Sequence, residues 1–265
     1  MIYTLKKTQI VWIYSILLLL ISPVLALPNI LYKVYNKRRY SFLLISIVIG
    51  FVSFLYIPNS IDDKARYIEL YRMFQNGLVT FEDYIAMGRP DFIFHFLIYC
   101  FARIGISYQY LFFLLTTFTV GVVFYLFATK VSLLYLDKRH YFLSFLLLLF
   151  SFSLPSLFSG IRFYFACSFI LLSIFSLLEG RFLRFVLLAT FACLIHFSSL
   201  LFFLISSIFI LIKKKTYLCR ALFLSSFIFI LFSKEVFGSF FFLFQYLGDS
   251  FVRKGEVYLQ QEDFI

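Results

Sequence analysis

Apolar runs of about the length that crosses a bilayer recur along the chain, at 10–31, 41–57, 108–129, 141–157, 160–178 and 218–236, with shorter polar stretches between them. A spanning helix needs about 20 such residues, and each run predicts one, because a helix satisfies its own backbone polar groups away from water. The 29 residues from 184 to 212 are too many for one ordinary span. The polar cluster His196, Ser198 and Ser199 near their middle predicts two short helices that meet there. Segment 91–107 is apolar but contains Asp91, His95 and Arg103, and is expected to dip into the membrane rather than cross it. The pattern as a whole predicts an all-α, polytopic transmembrane helical bundle. It has about eight or nine membrane segments and forms a single integral-membrane domain over residues 1–265.

The longest polar stretch, 58–90, interleaves Asp62, Asp63, Glu69, Glu82 and Asp83 with Lys64, Arg66, Arg72 and Arg89. Ser60 followed three residues later by Asp63 reads as a capping box that opens a helix. From there Asp63, Tyr67, Leu70, Tyr71 and Phe74 follow the spacing of one helical face. That face predicts an amphipathic helix lying at the membrane surface with its aromatic residues in the interface. Together, 58–107 form a loop region with one amphipathic and one re-entrant helix.

Composition agrees with this picture: 63 % of residues are hydrophobic and 14 % charged, far from the balance of a soluble domain. The net charge of +11 changes its meaning in such a chain. In a soluble protein it would point to nucleic acid; here it reflects Lys and Arg in loops on one side of the membrane, and no nucleic-acid partner is expected. With 91–107 re-entrant, loops 32–40, 130–140, 179–184 and 213–220 share one side. They hold thirteen of the 24 Lys and Arg but only Asp137 and Glu179 among the 13 acids. That side is expected to be cytoplasmic, and 58–107 extracytoplasmic, with Lys6 and Lys7 also outside. If 91–107 crossed, this asymmetry would mostly vanish. The 41 Phe residues carry no functional meaning, because lipid tolerates Phe, Leu and Ile almost interchangeably. Cys100, Cys167, Cys193 and Cys219 lie in or beside apolar runs and read as small core residues.

Ionisable side chains in membrane segments are costly and face a cavity or a partner. Arg162 follows the breaking stretch Pro155 to Gly160 and opens a span at its outer end; His196 ends the next ascending helix on the same side. Asp63 belongs to the outer loop. An acid, an arginine and a histidine from three segments are thus expected at one membrane level. Each also has a plainer reading: Arg162 reaching lipid headgroups, His196 as a packing residue, Asp63 as an acid at a helix N-terminus, Tyr67 and Tyr71 as interfacial anchors. No P-loop or dinucleotide fingerprint is present, and His95, His140 and His196 are too scattered to hold a metal, so no metal and no cofactor is expected.

Three fragments in order resemble the EpsG family of polysaccharide polymerases, a branch of the Wzy-type O-antigen polymerases. Asp63-Lys-Ala-Arg-Tyr67-Ile-Glu-Leu-Tyr71 resembles the family's D-x-x-x-Y-x-x-x-Y after the second span. Ile161-Arg162-Phe-Tyr-Phe-Ala166 resembles its R-x-x-x-A motif, and Ile195-His196-Phe-Ser-Ser-Leu200 its H-x-S-A/S-L motif. The chain departs from the pattern before the aspartate, where Pro58-Asn-Ser-Ile stands in place of the usual Gly, and it is C-terminally short for the family.

The resemblance implies a membrane glycosyltransferase in a bacterial cytoplasmic membrane. It would join undecaprenyl-pyrophosphate-linked oligosaccharide units into O-antigen, capsule or exopolysaccharide, with the pathway's flippase and chain-length regulator as partners. It implies Asp63 or His196 as proton acceptor and Arg162 as the group that meets the leaving pyrophosphate. Arg66, Arg72 and Arg89 would assist with the anion, and Tyr67 and Tyr71 would contact sugar or lipid. A sugar-lipid transporter and a membrane acyltransferase that modifies surface glycans are the rival readings. The first would show internal repeats and broken mid-membrane helices, the second a histidine beside an acid, and His196 has no acid close in sequence.

Overall fold

The computed structural model describes residues 13–38, 40–86, 91–131 and 137–212, together with 215, 217, 218, 220, 221 and 224. Every regular element among them is a helix: α1 (residues 13–21), α2 (Pro23–Tyr35), α3 (Tyr40–Leu55), α4 (Asp63–Gln75), α5 (Phe81–Ala86), α6 (Phe92–Ile104), α7 (Tyr108–Leu126), α8 (Lys138–Phe150), α9 (Leu154–Ser159), α10 (Ile161–Leu178), α11 (Phe182–Ile195) and α12 (Ser199–Ile212). A turn of π-helix, Phe127–Val131, extends α7. The chain divides into two compact units, Met1–Phe81 with Asp91–Leu200, and Glu82–Pro90 with Leu201–Ile265. In the second unit the described part of α12 is apolar and exposed at Leu201, Leu204 and Ile205.

Among the described residues two helices are long and apolar enough to cross a bilayer, Tyr108–Lys130 with 23 residues and Ile161–Leu178 with 18. At 1.5 Å per residue they rise about 34 and 27 Å, against a hydrocarbon core of about 30 Å. Four further apolar helices are shorter: Tyr40–Leu55, Phe92–Ile104, Phe182–Ile195 and Ser199–Phe209. The expected run 10–31 is broken at Ser22, whose Oγ accepts from Leu25 N at the head of α2 with Pro23 in the first turn. The run 141–157 is likewise divided between α8 and α9, with Pro155 in the first turn of α9. Run 218–236 lies outside the described residues, isolated positions apart.

The 184–212 segment divides as its polar cluster predicted: α11 ends at Ile195, His196 adopts extended backbone, and α12 starts at Ser199. Segment 91–107 forms α6, only 13 residues long and so about 20 Å, ended by Gly105 in the left-handed region.

In the first unit α3 and α7 pack along their length. Phe42 packs against Phe124 and Phe127, while near the other end of α3 Ser53 Oγ accepts a hydrogen bond from Thr116 Oγ1 at 2.9 Å, so the two helices run antiparallel. Small residues at the seam permit this approach. A Cβ on Gly50 would overlap Thr117 Oγ1 and press on Phe113. Gly50→Ala is therefore expected to cost about 1–3 kcal/mol of overpacking. The purified protein should melt at a lower temperature; an unchanged melting temperature would contradict this packing. Aromatic rings continue the core into α8, where Tyr141 and Phe145 meet Phe42 edge-on.

Two ends of this unit follow. At one, the start of α3 lies beside the start of α8, Lys138 Nζ donates to Asn36 Oδ1, and Lys130 pairs with Glu179. Three of the loops expected on the basic side, 32–40, 130–140 and 179–184, therefore meet within the unit. At the other, Tyr56 beyond the end of α3 packs on Phe158 of α9, which leads directly into α10.

Helix α4 forms where its face predicted but differs at its start and in its setting. Asp62, not Ser60, occupies the N-cap, and its carboxylate accepts from Tyr56 Oη at 2.7 Å and Asn59 N at 3.0 Å. Tyr67, Tyr71 and Phe74 are buried rather than placed in a membrane interface. Their rings meet Phe94, Tyr108 and Tyr99, and Tyr71 Oη donates to Ile106 O at 2.7 Å. The physical reason is α6, whose apolar face offers the aromatics a protein partner. Lys64 ties α4 to α3: its buried ammonium donates to Ser53 O and Tyr56 O and lies over the Tyr56 and Phe112 rings.

Candidate active site

The helix ends at the non-basic end of the first unit converge on one carboxylate, Asp91. Its backbone takes the left-handed conformation, φ 74° and ψ 38°, at the N-cap of α6. Asp tolerates this region better than most residues, at a cost of roughly 1–2 kcal/mol. An N-cap carboxylate ordinarily accepts from its own helix, but this one makes no such bond. It faces two other helices instead. Asp91 Oδ2 accepts from Arg162 Nη1 at 2.6 Å, and Oδ1 accepts from Phe197 N at 2.6 Å. The imidazole Nδ1 of His196 lies 3.5 Å from the same Oδ1, a long contact for a hydrogen bond.

Local sequence explains why these groups are available. Gly160 precedes α10 and places Arg162 in its first turn, where the chain re-enters apolar surroundings. At the α11–α12 break the Phe197 N–H has no helical carbonyl to serve, and the carboxylate satisfies it. His196 is held by its own N–H to Ala192 O and by an edge-on contact with Phe163.

The Asp91 side chain is 1 % exposed, while Arg162 and His196 retain 21 % and 17 %. Burial would raise the Asp91 carboxyl, but His196, the Arg162 guanidinium and the Phe197 N–H together hold it below the usual carboxylate range. Asp91 is thus an anion that fixes its neighbours and is a poor proton acceptor itself. The Arg162 guanidinium lies 5.5 Å from the centre of the Tyr67 ring, which in turn packs edge-on against Phe94 at 4.8 Å. Burial raises the Tyr67 hydroxyl, which stays protonated.

Of the residues expected from sequence, Arg162, His196 and Tyr67 come together here. Asp63 pairs with Arg66 one turn before Tyr67, and its charge is felt at the Tyr67 hydroxyl, which it helps to raise. Arg66 and Arg72 are exposed, Tyr71 is buried against Tyr108, and Arg89 lies outside the described residues. The acid that does join arginine to histidine, Asp91, was legible only as a charge at the head of an apolar helix.

The geometry can bind an anion and move a proton. Asp91 orients the flat guanidinium by one corner, and the rest of such a fork matches a phosphate oxygen pair. His196 turns Nδ1 towards the Asp91 carboxylate at 3.5 Å, and Nε2 is the ring nitrogen on the side away from it. Among the described residues no group of three or more His, Cys, Asp or Glu could hold a metal.

The family model of EpsG matches residues 38–264. The chain belongs to the EpsG family. EpsG proteins are Wzy-like polysaccharide polymerases, and the match takes in Asp91, Arg162, His196, Tyr67 and every helix from α3 to α12. No curated protein and no solved structure matches the chain.

Proposed function

We propose that this EpsG protein polymerises lipid-linked oligosaccharide units, transferring a glycan from undecaprenyl pyrophosphate to the terminal sugar of another unit on the outer face of the cytoplasmic membrane. The observation that carries this reading is the meeting of Arg162 and His196 on one buried carboxylate, inside a chain of a polysaccharide-polymerase family. Eight or nine membrane segments, with α6 as a re-entrant helix, belong to the same proposal. The 13-residue length of α6 and the gathering of basic loops at the opposite end of the unit support it.

In the reaction, the acceptor hydroxyl oxygen bonds to the anomeric carbon as the bond from that carbon to the pyrophosphate oxygen breaks. The hydroxyl proton passes to His196 Nε2, and the electron pair leaves with the pyrophosphate, whose growing charge Arg162 meets. Asp91 positions both groups. Tyr67 flanks the guanidinium and can stack on a sugar ring. Arg66, Arg72 and Arg89 are secondary anion contacts, and Asp63 is a reserve acid of the outer loop. Flippase and chain-length regulator remain proposed partners.

His196→Ala is expected to lower polymer formation by about 10²–10⁴. Complementation of a polymerase-null strain would show single repeat units where long chains were; a normal ladder at matched expression would remove His196 from the mechanism. An acyltransferase is the second reading with an observation in its favour, since Asp91 supplies the acid beside His196 that the sequence lacks nearby. It requires chain length to be unchanged in the null strain while an acyl group disappears.

A further inference from the structure

Away from the Asp91 cluster, the opposite end of the first unit contains an open cleft of about 600 Å³. It is lined by Tyr14, Asn29, Tyr32, Lys33, Asn36, Arg38, Tyr40 and Lys138, from α1, α2, the turn after it, and the starts of α3 and α8. Among the described residues three cations line it and no carboxylate does. The nearest acid in sequence, Asp137, is engaged with Arg139 N and His140 Nδ1. Lys33 is only 6 % exposed, and its ammonium lies 5.8 Å from the centre of the Tyr40 ring. The buried amide nitrogen of Asn29 has no hydrogen-bond partner, a donor left waiting for an acceptor.

We propose that this cleft binds a phosphate-bearing anion, namely the headgroup of an anionic phospholipid. Cations, an unsatisfied amide donor and tyrosine hydroxyls are the complement of a phosphodiester. Lipid is favoured over a free phosphate because Ile13, Leu17, Leu20, Val24 and Leu25 on the helices that form the cleft are exposed and apolar, offering a surface for acyl chains. Tyr14 and Tyr32, both exposed, mark the level at which headgroup and hydrocarbon meet. The site is separate from the proposed active site, being joined to the opposite end of α3.

The test reconstitutes the full-length protein in nanodiscs of equal amounts of phosphatidylglycerol and phosphatidylcholine and counts the lipids retained on release by native mass spectrometry. Arg38→Gln with Lys138→Gln is the main variant, since both side chains are exposed; because Lys138 also donates to Asn36 Oδ1, its melting temperature is monitored, as is that of an added Lys33→Gln. The expected result is selective retention of phosphatidylglycerol, reduced at least about tenfold in the double variant. Inorganic pyrophosphate is titrated separately. Pyrophosphate binding without phosphatidylglycerol retention overturns the lipid as occupant. Equal retention of the two lipids, unaffected by the substitutions, overturns the site.

Discussion

Asp91→Ala is expected to abolish long-chain polysaccharide and also to weaken the fold. Removing the carboxylate leaves the Arg162 guanidinium partly buried without its 2.6 Å partner, and leaves the Phe197 N–H without an acceptor at the α11–α12 break. Breaking a buried ion pair costs about 3–5 kcal/mol, and the residual solvent at Arg162 brings the expectation to about 2–4. Asp91→Asn separates structure from chemistry. Its amide oxygen can still accept from Phe197 N while the charge that holds Arg162 and His196 is lost. Folded, membrane-inserted protein with polymer formation lowered by about 10²-fold is the expected result for Asn. Surface-polysaccharide ladders and a melting curve on the purified variant check the two halves. Wild-type ladders from Asp91→Asn at matched expression would show that the carboxylate has no part in the reaction.

The second large effect is at Arg162. Arg162→Ala should lower polymerisation by about 10²–10³, the usual size of losing one group that stabilises developing negative charge. Lysine should not restore it, because an ammonium cannot hold Asp91 with one corner and a pyrophosphate with the rest. The coupling to Asp91 adds a sharper expectation. With Asn already at position 91, Arg162→Ala should cost far less than it does alone, since the two residues act as a unit. In vitro turnover with a lipid-linked repeat unit measures this cycle; strictly multiplicative losses would mean that the ion pair is only structural.

Much of the helix arrangement is legible in the sequence. The break at His196 followed from too many apolar residues interrupted by three polar ones, and α11 and α12 part there. The face of α4 followed from helical spacing, and Tyr67, Leu70, Tyr71 and Phe74 are all buried. Periodicity cannot say what covers a face, and so a lipid interface was expected where α6 provides protein. Arg162 and His196 stand out in the sequence because charges at the ends of apolar helices need a reason, and in the fold both lie beside Asp91.

Asp91 escaped for two physical reasons. Its partners are 71 and 106 residues away, beyond any local motif. Its left-handed backbone, which turns the carboxylate away from its own helix, leaves no mark in the residue type. Asp63 drew attention instead because it begins a helical face with Tyr67; in the fold Tyr67 reaches the arginine while Asp63 pairs locally with Arg66. The number of membrane crossings stayed beyond sequence because helix length, not the apolar run, sets the span, and prolines or serines shorten several runs.

The most direct measurement is the accessibility of positions 162 and 196 from the outer side of the membrane. With the native cysteines replaced, Arg162→Cys and His196→Cys should both react with a membrane-impermeant thiol reagent added to intact spheroplasts, and Arg38→Cys should react only in inverted vesicles. Labelling of 162 and 196 from opposite sides, or of both from the cytoplasmic side alone, would contradict an outward-facing site built from these two residues.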